Sequence, residues 1–299
     1  METVFAGISL ACPLVNAAGS CKTIEEVEQL AKTPVGAITV GSITMERREL
    51  NVGDTYWMDP EGRYSLNSLG LPNGGMPYYE KALPRMRELA HATDKPLIVS
   101  VAGFSPKEYH ALASFAAQWA DQVELNLGCS NVWGEGGQKT IFSYEPVLVD
   151  EVLQELKDPF FSTTVRVTVK LSPLPPNLLS QTAEVLNGSR VVRGVVASNT
   201  WPNGFGWDGT KTAITPGGGK AGFAGPGFKG IALGQVVQFR ELLRSDIDLM
   251  GAGGVQCGKD VQDYRLAGAK AVGINTAFAN RGAKVFSNIV QQYVELCPA

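Results

Sequence analysis

Eight short apolar runs, rich in β-branched residues, alternate along this chain with eight longer stretches of helical periodicity. The runs are 13–17 (PLVNA), 36–41 (GAITVG), 96–102 (PLIVSVA), 122–127 (QVELNL), 165–171 (VRVTVKL), 191–199 (VVRGVVASN), 247–251 (IDLMG) and 270–275 (KAVGIN). Near-continuous apolar runs of this length predict strands covered on both faces. The helix candidates between and after them are 23–32, 78–92, 106–120, 146–157, 176–187, 232–244, 258–267 and 279–295. Thr23 with Glu26 three residues on is a capping-box signature. In the last candidate Phe286, Ile289, Val290 and Val294 recur at helical spacing. Eight strands alternating with eight helices predict an α/β fold, the (β/α)8 TIM barrel. An open doubly wound sheet is the rival, but no G-x-G-x-x-G follows the first run.

The length of 299 residues suits one such barrel, and no internal repeat, low-complexity tract or linker divides it, so 1–299 reads as a single domain. Segments 42–77, 128–145 and 200–231 are long for strand-to-helix connections. Each follows a predicted strand, so all three are expected as insertions at the C-terminal face, where barrel active sites are built.

Lys and Arg total 26 and Asp and Glu 29, a net charge of −3 without a basic block, which argues against nucleic-acid or anionic-membrane partners. Apolar residues make up 44% and charged residues 18%, a composition that fills a large core and excludes disorder. No apolar run approaches the length of a transmembrane helix. The first twenty residues lack a basic start with a long apolar run, so a signal peptide is not expected. Cys12, Cys21, Cys129, Cys257 and Cys297 are odd in number and scattered, which suits a reducing cytoplasm. With no C-x-x-C pair and only His91 and His110, no zinc or iron–sulfur site is expected.

Asparagines mark the predicted mouth of the barrel. Asn67 lies in NSLGLPN (67–73), Asn126 and Asn131 in ELNLGCSN (124–131), and Asn199 ends the sixth run. A lone Asn commonly serves a turn. Four at one mouth suit a flat ring that alternates C=O and N–H, because each amide offers a donor and an acceptor. Cys129 sits among them as a base, a nucleophile or a buried structural thiol. Lys170 ends the fifth run; a lysine there either snorkels to the rim or presents its ammonium to an anionic ring. Glycine-rich turns follow the seventh run (MGAGGVQCG, 250–258), and GINTA (273–277) closes the eighth. These are expected to cradle a phosphate through backbone N–H groups, the dipole of the helix after the seventh run and Thr276. GGGKAGFAGPG (217–227) either adds donors or forms a lid. Trp133, Trp201 and Trp207 either shield the site or pack the long loops.

Taken together, these motifs resemble the dihydroorotate dehydrogenase family over nearly the whole chain, and most closely its class 1A branch. The resemblance rests on NAAG (16–19), TMERREL (44–50), NSLGLPN, ELNLGCSN, VKL (169–171), SNT (198–200), GAGG (251–254) and NTA (275–277). It implies a homodimeric FMN barrel that oxidises (S)-dihydroorotate to orotate in pyrimidine biosynthesis, with fumarate as acceptor. It further implies Cys129 as the base at C5, hydride transfer from C6 to flavin N5, and Lys170 at the flavin's pyrimidine edge. Asn67, Asn126, Asn131, Asn199, Thr200 and the segment Leu69, Gly70, Leu71 would hold substrate. Ala18, Gly19, Ser42, Asn126 and Ser198 would line the flavin ring, and Gly222, Gly253, Gly254, Asn275 and Thr276 the phosphate end. Three positions depart from the family pattern: Gly41 stands where a lysine is usual, Ser130 where a proline is usual, and Asn275 where a glycine is usual. Gly41 raises the alternative of another dihydropyrimidine or an enone as substrate of a related FMN oxidoreductase. A non-flavin barrel binding a sugar phosphate is the remaining alternative.

Overall fold

In the computed structural model of the protein, which describes residues 1–296 apart from the side chain of residue 162, all eight predicted runs form strands of one parallel sheet. They are β1 (Leu14–Asn16), β2 (Ile38–Ile43), β3 (Leu97–Val101), β4 (Gln122–Asn126), β5 (Val167–Leu171), β6 (Val192–Ala197), β7 (Asp248–Ala252) and β8 (Ala271–Ile274). Almost every residue in them is buried, as expected of strands packed between a barrel interior and a jacket of helices. The sheet order is β1-β8-β7-β6-β5-β4-β3-β2, so chain neighbours are neighbours in space.

The seam between β1 and β2 is closed by a side chain. Asn16 Nδ2 donates to the carbonyl of Thr39 at 2.7 Å, and Thr39 N–H donates to Asn16 Oδ1 at 2.8 Å. One amide thereby imitates the paired groups of a neighbouring strand. Below it Gly36 N–H donates to the carbonyl of Leu14, and above it Gly19 and Gly41 N–H groups donate to the carbonyls of Gly41 and Cys21.

The jacket comprises α1 (Ile24–Ala31), α2 (Met76–His91), α3 (Pro106–Ala116), α4 (Pro146–Glu155), α5 (Pro176–Gly188), α6 (Lys229–Leu242), α7 (Gly258–Leu266) and α8 (Lys284–Leu296). The capping box of α1 forms as expected: Thr23 Oγ1 accepts from Glu26 N–H, and Glu26 Oε2 accepts from Thr23 N–H. The last predicted helix, 279–295, is instead two helices, Thr276–Arg281 and α8. Gly282, at φ +70°, interrupts it, because a helix cannot continue through a left-handed residue.

An N-terminal hairpin, Thr3–Phe5 with Ile8–Leu10, plugs the bottom of the barrel. Its Phe5, Ile8 and Leu10 pack with Val15, Ile98, Val196 and Met250. At the opposite end the two longest insertions meet in a four-stranded antiparallel sheet. Its order is Trp201–Gly204, Ala221–Ala224, Ser65–Asn67, Tyr56–Met58. The stretch 128–145 carries a short hairpin, Trp133–Gly134 with Gly137–Gln138. Cys12, Cys21, Cys129 and Cys257 are free thiols, and Cys297 lies outside the described residues. Among the described residues no helix is long and apolar enough to cross a membrane.

Candidate active site

The C-terminal ends of the barrel strands and the sheet above them enclose a cavity of about 430 Å³. Asn67, Leu69, Gly70, Leu71, Asn126, Cys129, Asn131, Asn199 and Thr200 all line it, as does Lys170. So do Ala18, Gly19, Ser42, Ser198, Gly253, Gly254, Asn275 and Thr276. Residues spread from position 18 to position 276 therefore converge on one pocket, as strand ends of a barrel do.

The four asparagines form two hydrogen-bonded pairs. Asn131 Nδ2 donates to Asn67 Oδ1 at 2.8 Å, and Asn67 Nδ2 donates to the carbonyl of Gly222 at 3.1 Å. Asn199 Nδ2 donates to Asn126 Oδ1 at 3.1 Å. Each bond fixes which end of an amide faces the cavity, while the second proton of each NH2 group remains available to a ligand. From Asn126 the donors run inward. Its Nδ2 donates to Ser42 Oγ at 2.8 Å, Ser42 and Ser100 hydroxyls lie 2.9 Å apart, and Ser100 Oγ donates to Glu124 Oε1 at 2.9 Å. Since Ser100 gives its proton to Glu124, Ser42 must donate to Ser100. A row of aligned hydrogen bonds thus anchors the cavity floor on a buried carboxylate.

Cys129 follows β4 in the turn Gly128–Ser130. Burial pushes its thiol above the ordinary value, opposed by the Asn131 N–H and by the positive charges of Lys170, Arg48 and Lys22. Lys170 is 5% exposed, and its ammonium has no hydrogen-bond or ion-pair partner among the described residues. A cation held this way requires an anionic or carbonyl-rich ligand to offset its desolvation. The segment after β6 poses a similar demand: Ser198 Oγ is buried without a partner and lines the cavity.

The glycine turn after β7 is shaped by packing from behind. A Cβ on Gly253 (φ +140°) would come within 2.7 Å of Ala232, and one on Gly254 (φ +71°) within 2.6 Å of Lys229. Only glycine fits there, which leaves the backbone bare toward the cavity. Tyr264 Oη donates to the carbonyl of Gly253 at 2.7 Å and holds the turn. Ser65 Oγ lies 3.4 Å from Thr276 Oγ1 at the same end.

Two expectations fail. Gly222 does not line the cavity; it backs Asn67 through its carbonyl, and a Cβ on it would lie 2.2 Å from Thr200 Oγ1. The N-terminus of α7 is not open to a ligand. Asp260 Oδ2 already accepts from the Gln256 and Cys257 N–H groups, and Gln292 Oε1 accepts from Gly258 N–H. Within residues 217–227, Ala221–Ala224 form a strand of the sheet above the mouth between two short 3-10 turns, and Ala224 and Gly225 stand on the cavity wall. None of the three tryptophans lines the cavity. Trp133 packs on Gly217 and donates to Ser68 Oγ at 3.0 Å, while Trp201 and Trp207 are exposed.

The lining also holds Lys22, Ser20, Tyr56, Ser65 and Phe228, which sequence reasoning missed. Lys22 and Ser20 follow β1 and were available in principle, since every strand end of a barrel is a candidate. Tyr56, Ser65 and Phe228 reach the pocket only through the sheet above it, which no local pattern announces.

A family model described as dihydroorotate dehydrogenase matches residues 1–296. The chain is 33% identical over 303 residues to "Dihydroorotate dehydrogenase A (fumarate)" of Lactococcus lactis subsp. cremoris, covering 99% of this chain and 94% of that one. It is 32% identical over 302 residues to "Probable dihydroorotate dehydrogenase A (fumarate)" of Enterococcus faecalis, covering 99% and 93%. Its fold is similar to the ligand-free DHODH structure from Eimeria tenella, with a TM-score of 0.83 at 17% identity, covering 99% of this chain and 87% of that one.

Proposed function

Because the chain belongs to the dihydroorotate dehydrogenase family, we propose that it is an FMN-dependent oxidoreductase acting on a CH–CH bond, which oxidises (S)-dihydroorotate to orotate. The observation that carries this reading is the meeting of Cys129, Lys170 and two asparagine pairs in one pocket. The residues fit a flavin mononucleotide. Gly253, Gly254, Asn275 and Thr276 would hold the phosphate end, and Ala18, Gly19, Ser42 and Ser198 the ring. Ser198 Oγ and the Lys170 ammonium, both buried without partners, are the groups such a ring would satisfy. Bound there, FMN supplies a two-electron acceptor for the hydride at C6 of the substrate.

The chain's own residues supply the rest. Asn67, Asn126, Asn131 and Asn199 orient the dihydropyrimidine through its alternating carbonyl and N–H groups. Leu69, Gly70 and Leu71 wall the pocket against water. Gly70 and Leu71 hold left-handed backbone (φ +83° and +61°), and the Gly70 carbonyl accepts from Arg48 Nε at 2.9 Å. Thr200 closes the side beside Asn199. The Cys129 thiolate takes the proton from C5, and the cations around it favour that charged form. Lys170 places its charge where negative charge develops in the reaction. Fumarate as the small-molecule acceptor, a homodimer and a cytoplasmic setting belong to the same reading.

The test is turnover. Purified holoenzyme is expected to be yellow and to form orotate from dihydroorotate in the presence of fumarate. A yellow protein that forms no orotate would reject the substrate, and a protein that takes up no FMN would reject the whole reading. Gly41 favours one rival reading, a related FMN oxidoreductase whose substrate is another dihydropyrimidine or an uncharged enone.

A further inference from the structure

The charges around the cavity are one-sided. Its lining includes two lysines, Lys22 and Lys170, and no aspartate or glutamate. Lys170 stands on β5 and Lys22 on the turn that follows β1, so the two come from separate parts of the mouth. The Lys22 ammonium has no hydrogen-bond or ion-pair partner among the described residues. Its neighbouring carboxylate, Glu26, is held by the cap of α1, where Oε2 accepts from the N–H groups of Lys22 and Thr23 at 2.5 and 2.9 Å. Burial lowers the affinity of the Lys22 amine for its proton, while Glu26 and Cys129 support the charge. Arg48, the other cation near Cys129, is engaged elsewhere: its Nε is bonded to Gly70 and its guanidinium lies over the Phe104 ring, 5.2 Å from the centroid.

The backbone explains why the cation comes from position 22. Gly41 pairs with Cys21 across the β1–β2 seam: its N–H donates to the Cys21 carbonyl, and its own carbonyl accepts from Gly19 N–H. Gly41 itself can carry no side chain, because at φ +110° a Cβ would lie 2.3 Å from the carbonyl oxygen of Ser100. The residue next to its bonded partner is Lys22, which does reach the cavity.

From this we propose that Lys22 is the specificity-determining residue that binds the carboxylate of the substrate ring at the Cys129 end of the pocket. The inference rests on the dihydroorotate reading for the identity of the ring, but not for the charge it reads. A pocket with two unpaired ammonium groups takes two negative partners. The flavin answers Lys170, and a carboxylate answers Lys22.

Alkylation of Cys129 in the holoenzyme separates the two ideas. Iodoacetate carries a carboxylate and iodoacetamide does not, while both react with the same thiolate. Any change in thiol ionisation caused by a substitution at position 22 cancels in the ratio of their rates. That ratio, followed by mass spectrometry of the Cys129 peptide, is expected to fall about tenfold in Lys22→Met, the effect of one charge-assisted hydrogen bond, and to recover in Lys22→Arg. Titration of the flavin spectrum with orotate is expected to weaken by a similar factor in Lys22→Met. A ratio unchanged within about twofold, or a Cys129 that neither reagent reaches, would overturn the proposal. If the ratio falls but the wild-type protein forms no orotate from dihydroorotate, Lys22 still reads an anion and only the substrate assignment is lost. If orotate forms and the ratio stays, the substrate reading stands without Lys22.

Discussion

Gly41→Ala is expected to be among the most damaging small substitutions this barrel can suffer. Gly41 lies in the middle of β2 with φ +110°, and an added Cβ would stand 2.3 Å from Ser100 O and 2.9 Å from Ile43 N, both backbone atoms that cannot swing aside. Left-handed backbone in a residue with a Cβ costs about 1–2 kcal/mol. Forcing neighbouring backbone apart in a packed core adds roughly 1–3 kcal/mol. The sum, about 3 kcal/mol, corresponds to a melting temperature lower by about 6 °C or more for a chain of this size. Ser100 also carries the hydrogen bonds to Ser42 and Glu124, so its displacement reaches the cavity floor. Gly62→Ala is the control: its φ is +70°, but nothing lies within 4 Å of the added atom. It isolates the backbone term, about 1 kcal/mol. Thermal unfolding of the three proteins, followed by circular dichroism with and without FMN, checks the reasoning. A Gly41→Ala protein that melts with the wild type, or no lower than Gly62→Ala, would refute it. The same strain means that a lysine cannot be restored at position 41 on this backbone.

Ser198→Ala is expected to leave the protein without FMN as stable as the wild type or slightly more so, because the buried hydroxyl has no protein partner. FMN affinity should fall by about threefold to tenfold; equal affinities by flavin fluorescence titration would remove Ser198 from the cofactor site. Because desolvation raises the Cys129 thiol above its ordinary value, only a small fraction is thiolate at neutral pH. The rate of flavin reduction by dihydroorotate should therefore climb with pH, about tenfold per unit through the neutral range. A flat profile in stopped-flow measurements would exclude this thiol as the base.

The barrel was legible because strands covered on both faces are largely apolar, whatever their neighbours. The runs around Val40, Val99 and Val195 announce themselves locally, and so does the Thr23–Glu26 cap. The seam was not legible. Asn16 completes the barrel by a side-chain amide, and nothing in PLVNA distinguishes that use from a turn. The sheet above the mouth was equally silent, since Ser65–Asn67 and Ala221–Ala224 are short and pair across more than half the chain. The assignment of Gly222 failed for a related reason. A glycine can leave room for a ligand or for another protein group, and here the group is Thr200. Asn126, Asn131, Asn199 and Cys129 could be placed at the mouth because they lie at or just past barrel strand ends, whereas Asn67 belongs to the sheet above it. Lys22 follows a strand end too, but it stands beside the Thr23–Glu26 cap, and nothing local marks its side chain as facing the mouth.

The central claim is that the thiol of Cys129 faces bound flavin across a flat substrate ring. Anaerobic mixing of dihydroorotate with the FMN-loaded wild type and with Cys129→Ser tests it most directly. The account predicts rapid bleaching of the flavin in the wild type. In Cys129→Ser, with FMN content and orotate affinity preserved, bleaching should be slower by about a hundredfold or more. Bleaching at wild-type speed in Cys129→Ser would contradict it.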